Sequence, residues 1–205
     1  MQALDTAQLI AIAAALGWAS GMRLYLVVFL TGIAGWFGWV ELPQGLKVLQ
    51  HPAMLGASGF MLFVEFFADK IPGVDTLWDL VHTVVRIPAG AALAASVFGA
   101  DQGTWAMAAA LMGGTLAATS HVAKATTRAA ANTSPEPLSN IGLSLLGDAF
   151  VPAALWLSWT HPVVLAIVLA IALIVAIVLI VMFAKFLRAL ARRAATLLRG
   201  SPSSV

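Results

Sequence analysis

Between Ala68 and Gly90 the sequence ADKIPGVDTLWDLVHTVVRIPAG sets Asp69, Lys70, Asp75, Asp79, His82 and Arg86 in a chain that is otherwise almost uniformly apolar. Asp75, Asp79, His82 and Arg86 follow one another at intervals of four, three and four. At about 100° per residue they form one narrow helical stripe, with Leu77, Val81, Val84 and Val85 on the opposite face. His121, Lys124, Arg128 and Asn132 form a second stripe by the same arithmetic. The first block, which also holds Glu65, is rich in carboxylates, and the second is rich in cations. Neighbouring helices carrying these faces are expected to pair, with Glu65 to Arg128 and Asp79 to Lys124 as sensible contacts.

Each such charge left facing lipid at the centre of a bilayer would cost about 2.5–3.5 kcal/mol. The stripes are therefore expected to face protein or water. Two readings follow. In one, the charges are buried ion pairs that fix helix register. In the other, they line a substrate or proton path. On the second reading Arg23, Lys70, Arg86, Lys124 and Arg128, with Asn132 and Asn140, would bind an anion. Glu65, Asp69, Asp75, Asp79, His82, His121 and Asp148 would exchange protons or ions, because burial moves such groups toward neutral pH. Asp75 and Ser134, the latter followed by Pro135, are positioned to cap helix N-termini, which either simply stabilise the helix or attract anions.

Asp75, Asp79 and His82 have metal-ligand chemistry on one face, but the spacing is not diagnostic and cations are close at hand. No metal or cofactor is expected. The chain has no Gly-flanked nucleophilic Ser, no His-Glu-x-x-His and no Gly-rich phosphate loop. His82 and His121 meeting in space as a phosphoryl-transfer pair is the remaining enzymatic alternative, acting on a lipid phosphate.

The elements that must position these residues are membrane helices. The 205 residues are 61% hydrophobic and 10% charged, with a mean hydropathy of +0.95, against about 45–50% and about 25% for soluble domains. A crossing needs roughly 20 apolar residues, so the chain is expected to be an all-α, polytopic integral membrane protein of about six to seven segments. The absence of cysteine excludes disulfides and thiolate sites. The N-terminus lacks the positive lead of a secretory signal and reads as a retained membrane segment. Lys185, Arg188, Arg192, Arg193 and Arg199 all follow the last apolar run, so the basic excess belongs to a tail against a membrane span. Nucleic-acid binding is not expected from that distribution.

The plainest span is Val163 to Ala184, uncharged and rich in Val, Ile and Leu. The basic tail after it should remain cytoplasmic, either lying on an anionic membrane surface or extending the helix into water. Three regions result: a charged membrane bundle over 1–160, a simple transmembrane helix over 161–187 and a basic tail over 188–205. The first apolar stretch, from Gln8 to Val40, is too long for one untilted span and is interrupted at Gly17, Ser20, Gly21 and Arg23. A broken or re-entrant element is one reading, and its break would have to be buried in protein. The other is an interfacial helix followed by a span from Leu24 to Trp39, with Arg23 reaching the surface. Trp36, Trp39, Trp105, Trp156 and Trp159 fall near segment ends, as interfacial aromatics do.

Two blocks share a layout of helix, proline break, polar-striped helix and proline, one around Pro72 and Pro88 and the other around Pro135, Pro137 and Pro152. This reads as a weak internal repeat, inverted if it follows the usual transporter plan. The Gly- and Ala-rich run AGAALAASVFGA after Pro88 is expected as a separate, closely packed helix.

The stretches GMRLYLVVFLTGIAG, FVEFFADKIPGVDTLWDLVHTVVRIPAG and ANTSPEPLSNIGLSLLGDAF together resemble the bacterial inner-membrane family catalogued as domain of unknown function 4126, over roughly Leu9 to Trp159. The resemblance implies a multi-pass inner-membrane location and importance for the charged motifs, and no activity. The functional expectation from the residues is a small transporter or flippase-like carrier for an anionic, phosphate-bearing solute or lipid headgroup, with proton coupling. Membrane lipids and a second copy of the chain are the expected partners. The alternatives are the intramembrane enzyme and a structural membrane protein.

Overall fold

In a computed structural model, residues 4–71, 73–131 and 137–199 are described. Among them there is no β-strand, and six α-helices follow in order: α1 (Thr6–Trp36), α2 (Pro52–Ala68), α3 (Val74–Ser96), α4 (Gly103–Ala131), α5 (Pro137–Thr160) and α6 (Pro162–Arg199). A 3₁₀ turn at Gln44–Gln50 precedes α2 and is bent from it by 69°. By length and apolarity four helices, α1, α4, α5 and α6, suffice to cross a bilayer, or five elements if the bent pair counts as one. The all-α membrane architecture is thus as expected. The helix α3 falls short on apolarity because of its charged stripe.

The helix α1 begins in a capping box, Asp5 accepting from the Gln8 N–H at 2.7 Å while Gln8 Oε1 accepts from the Asp5 N–H. It is broken at Arg23, whose φ of −147° and ψ of 75° are not helical. A straight 31-residue helix would be about 46 Å long, yet both ends of α1 lie beside the single turn that joins α5 to α6. Ala7 and Ile10 share a cavity with Pro162 and Val163. Trp39 and Val40 share one with Trp159 and Thr160. The helix therefore enters, reverses at Arg23 and returns. Arg23 is 1% exposed, at the tip of a helical hairpin. The expected snorkelling of Arg23 is overturned, because its guanidinium finds Asp69, Asp148 and Ser144 inside the protein.

The first arm of α1 packs on α3 and α4 through small residues. A Cβ on Gly17 would come within 2.5 Å of Gly113 Cα, and one on Gly113 would lie 2.8 Å from the Gly90 carbonyl oxygen. The backbones of three helices thus meet with only small side chains, such as the Ala94 and Ala117 methyls, between them. Pro88 does not end α3, nor Pro152 α5: both lie inside continuous helices. The separate helix expected after Pro88 is the second half of α3. Proline is tolerated there because neighbouring helices and local adjustment accommodate the lost hydrogen bond within a membrane.

Contacts fix the direction of every segment. The first arm of α1, α2, α4 and α6 run away from the α5–α6 turn; the second arm of α1, α3 and α5 run toward it. The two proline-broken blocks, α2–α3 and α4–α5, accordingly run in the same sense. A relation between them would be direct and not inverted, because α2 and α4 are separated by one return helix and re-enter from the same side. Exposed Trp36, Trp39, Trp105 and Trp156 all sit at the α5–α6 turn side, while the basic residues from Lys185 mark the other. The uncharged run Val163–Ala184 between them is about 33 Å long. The helix α6 continues unbroken past Lys185 to Arg199, which favours a helical extension of the span for the tail.

Because the chain lacks cysteine, single cysteines at Thr6, Gly38 and Arg192 test the hairpin by side-specific maleimide labelling in sealed vesicles. Thr6→Cys and Gly38→Cys are expected to label from one side and Arg192→Cys from the other. Labelling of Thr6→Cys and Gly38→Cys from opposite sides would mean that α1 crosses.

Candidate functional site

The helix α3 buries the stripe read from its spacing. Asp75, Asp79, His82 and Arg86 are inside, whereas Leu77, Val81, Val84 and Val85 are exposed on the outer face. The start of this helix is fixed by Gly73, whose φ of 87° is one that L side chains rarely adopt, and by Asp75. The Asp75 carboxylate accepts from the backbone N–H of Gly73 at 2.8 Å and of Thr76 at 2.7 Å, so its visible geometry is that of a helix-start anchor. Asp69 ends α2 as its C-cap, and Lys70 just beyond donates back to the Phe66 carbonyl oxygen at 3.2 Å.

Asp69 and Asp79 form the centre. Asp69 meets Arg23 at 2.8 Å, Arg128 at 2.7 Å and Lys124 at 3.1 Å. Asp79 meets Arg86 at 2.7 Å, Lys124 at 3.2 Å and Arg128 at 3.3 Å. Lys124 and Arg128 therefore each bridge both carboxylates. The chain of alternating charge continues outward on two sides. Arg86 reaches Glu65 at 2.7 Å, and Arg23 reaches Asp148 at 2.7 Å, which lies 3.6 Å from Lys70. Among the described residues, five cations, Arg23, Lys70, Arg86, Lys124 and Arg128, stand against five carboxylates, Glu65, Asp69, Asp75, Asp79 and Asp148.

The expected pairing of Asp79 with Lys124 is present. That of Glu65 with Arg128 is not: Glu65 lies toward the middle of the bundle beside Arg86, and Arg128 sits a turn beyond Lys124 with Asp69 and Asp79. His82 and His121 do not meet as a pair. His82 Nδ1 donates to the Trp78 carbonyl oxygen at 2.8 Å, and its Nε2 accepts from the Tyr25 hydroxyl at 3.1 Å. His121 has Thr83 Oγ1 2.7 Å from Nε2 and Arg86 Nη1 3.3 Å from Nδ1. Arg86 can only donate, so Nδ1 accepts and Nε2 carries the proton. Among the described residues no three metal-ligating side chains converge. Asn132 and Ser134 lie outside the described residues, as does the side chain of Asn140.

The hairpin tip supplies contacts that spacing could not reveal. The break at Arg23 frees the Met22 carbonyl oxygen, which accepts from Lys124 Nζ at 3.0 Å. Arg23 Nη2 donates to Ser144 Oγ at 2.7 Å, tying the tip to α5. Tyr25, the chain's single tyrosine, was equally unforeseen. Its signal was its place two residues beyond a charged break in an apolar run.

Most of the cluster is sealed. Glu65 and Arg86 are 0% exposed, and burying charges so completely is weak evidence for stability because desolvation offsets much of the Coulomb gain. Two cavities reach its edge. One, of about 300 Å³, includes Lys124, Arg128 and Thr127 among mostly apolar walls. The other, of about 310 Å³, has Thr76, Asp79, Thr83, His121, Thr126 and Arg128 among apolar walls that include Leu80, Ala125, Ala129 and Phe183. Phe183 stands just before Lys185, so this second cavity lies near the tail-side boundary. The cluster occupies the tail-side half of the bundle, and these two cavities bring water-sized room to Asp79, His121, Lys124 and Arg128.

The family described as Domain of unknown function (DUF4126) matches residues 10–182. The family unit thus includes the hydrophobic part of α6, which the sequence reading had set aside as an extension. No curated protein and no solved structure matches the chain.

Arg86→Leu leaves Glu65 buried without its cation and is expected to cost about 3–5 kcal/mol of stability, read by denaturant or thermal unfolding in detergent. Glu65→Leu in the same chain should recover most of the loss, because Asp79 keeps Lys124 and Arg128. Lys70→Gln, at the partly exposed end of the chain of charges, should stay within about 1 kcal/mol of the parent.

Proposed function

The chain belongs to that family, whose description assigns no activity, and on the geometry we propose that the protein is a proton-coupled membrane carrier for an anion with phosphate-like chemistry. The observation that carries this reading is the double bridging by Lys124 and Arg128. Each cation already divides its attraction between Asp69 and Asp79, and both stand at cavities. The charges balance, so an anion can enter only if a carboxylate yields. A proton arriving at Asp79 from the second cavity, which Asp79 and His121 line, would neutralise that carboxylate and free Lys124 and Arg128 for the incoming anion. Proton and anion together leave the net charge unchanged, which makes entry of the two as a pair cheaper than entry of either alone.

The roles divide accordingly. Lys124 and Arg128 bind the anion, Asp79 exchanges the proton and His121, sharing the cavity wall, relays it. Asp69 holds Arg23 and the hairpin tip in place, so loss of a cation from Asp69 would be felt at the re-entrant element. Broken helices around a charged, partly buried centre are a recurrent plan among secondary transporters. The positive-inside preference favours a cytoplasmic tail, and with it a second cavity near that face of an inner membrane.

A second reading, in which the charges only hold the helices in register, draws on the completeness of the ion pairs. Against it, Glu65 Oε2 and Arg86 Nε are buried without a hydrogen-bond partner, and a half-satisfied network is a poor device for stability.

Sealed proteoliposomes with an imposed pH gradient test the proposal in two arms, uptake of inorganic phosphate and flipping of a fluorescent anionic phospholipid. At least one should be accelerated by the gradient. Asp79→Asn, a fixed stand-in for the protonated carboxyl, should abolish the proton dependence while leaving exchange at zero gradient. Lys124→Gln should weaken anion affinity by about tenfold, as expected for loss of one charge-assisted contact. If the parent protein moves neither anion, or if both variants alter only stability, the carrier reading is wrong.

A further inference from the structure

The apolar cavity at Lys124 and Arg128 has an unusual wall. The helix α5 rests mainly on α1 and makes little contact with α4 or α6, which leaves a slot between α5 and α6. Leu143, Leu146, Phe150, Val175 and Leu179 line it, and Leu146, Val175 and Leu179 are exposed, so it opens sideways from the bundle. At Gly147 the wall is low: an added Cβ would meet nothing closer than Met22 Cε at 3.8 Å and Arg23 Nε at 3.9 Å.

Depth and chemistry limit what can fill this slot. Val175 and Leu179 precede Lys185 by ten and six residues, so the slot lies about 9–15 Å inside the tail-side boundary. A path for a small hydrated anion would be lined with polar groups. This one is apolar except where Ser120, Lys124, Thr127 and Arg128 face it. On the same wall Trp18 is 4% exposed, and its buried indole N–H has no partner. A cationic end and an apolar trough open on one side are complementary to an amphiphile with an anionic head.

We propose that the slot is a lateral lipid site, in which one acyl chain of an anionic phospholipid from the tail-side leaflet lies between α5 and α6 and its phosphate reaches Lys124 and Arg128. The inference rests on the carrier reading for the release of the two cations, and it names the lipid headgroup, rather than free phosphate, as the anion.

The full-length protein in detergent, exposed to an equimolar mixture of phosphatidylglycerol and phosphatidylcholine with identical chains, tests it by native mass spectrometry. Retained phosphatidylglycerol should exceed phosphatidylcholine by about tenfold or more, given two cations at the head position. Gly147→Leu, which fills the slot from α5, and Val175→Phe, which fills it from the exposed side of α6, should each remove the adduct with the lipid-free unfolding temperature preserved. If one of them does not fold, the other reads the same slot. Equal retention of the two lipids, or adducts that persist in the filled variants, would overturn the site. Binding in detergent needs no closed compartment, so its failure is distinguishable from a failure of transport.

Discussion

The attraction of Lys124 and Arg128 for two carboxylates at once is the interaction on which the rest of the bundle depends. Asp69 ends α2 and Asp79 lies on α3, while both cations come from α4, so this one knot ties three helices. Arg23 extends it to the hairpin tip, and through Asp148 to α5. In a bilayer, apolar side chains gain little by meeting one another in preference to lipid, and association falls to close packing and to polar contacts. The fold divides these two tasks by depth. Small residues join α1, α3 and α4 toward the α5–α6 turn, and ion pairs join the helices toward the tail.

Much of the site was legible because helical spacing survives translation into three dimensions. The stripe Asp75, Asp79, His82 and Arg86 needed only the periodicity of a helix and the cost of charge in lipid to be placed inward. The opposite sign of the second stripe then named its partner helix. What the spacing could not supply was rotation and depth. Glu65 pairs with Arg86 because α2 meets α3 near mid-bundle, a fact that depends on how far α2 descends after its bend. The break at Arg23 was visible as a charge among apolar residues, yet its reversal of direction depends on one residue's backbone angles.

The prolines misled for a physical reason. In water, Pro88 and Pro152 would argue for helix ends, because the missing N–H and the ring penalise a continuing helix. Within a bundle surrounded by lipid, ending a helix exposes several backbone groups with no solvent to receive them. Continuing through the proline is the smaller loss. The cavities were illegible for another reason: they arise where helices fail to touch, and absence of contact leaves no periodic mark in a sequence.

The glycine seam has a mechanical corollary. Where Gly17, Gly90 and Gly113 bring three backbones together, there are no flexible side chains to reorganise, and separation would expose bare peptide to hydrocarbon. That region behaves as a fulcrum. Any excursion that parts the charged partners must be a lever movement pivoting on the seam, small near the tryptophan belt and widest at the hairpin tip and the basic end of the bundle.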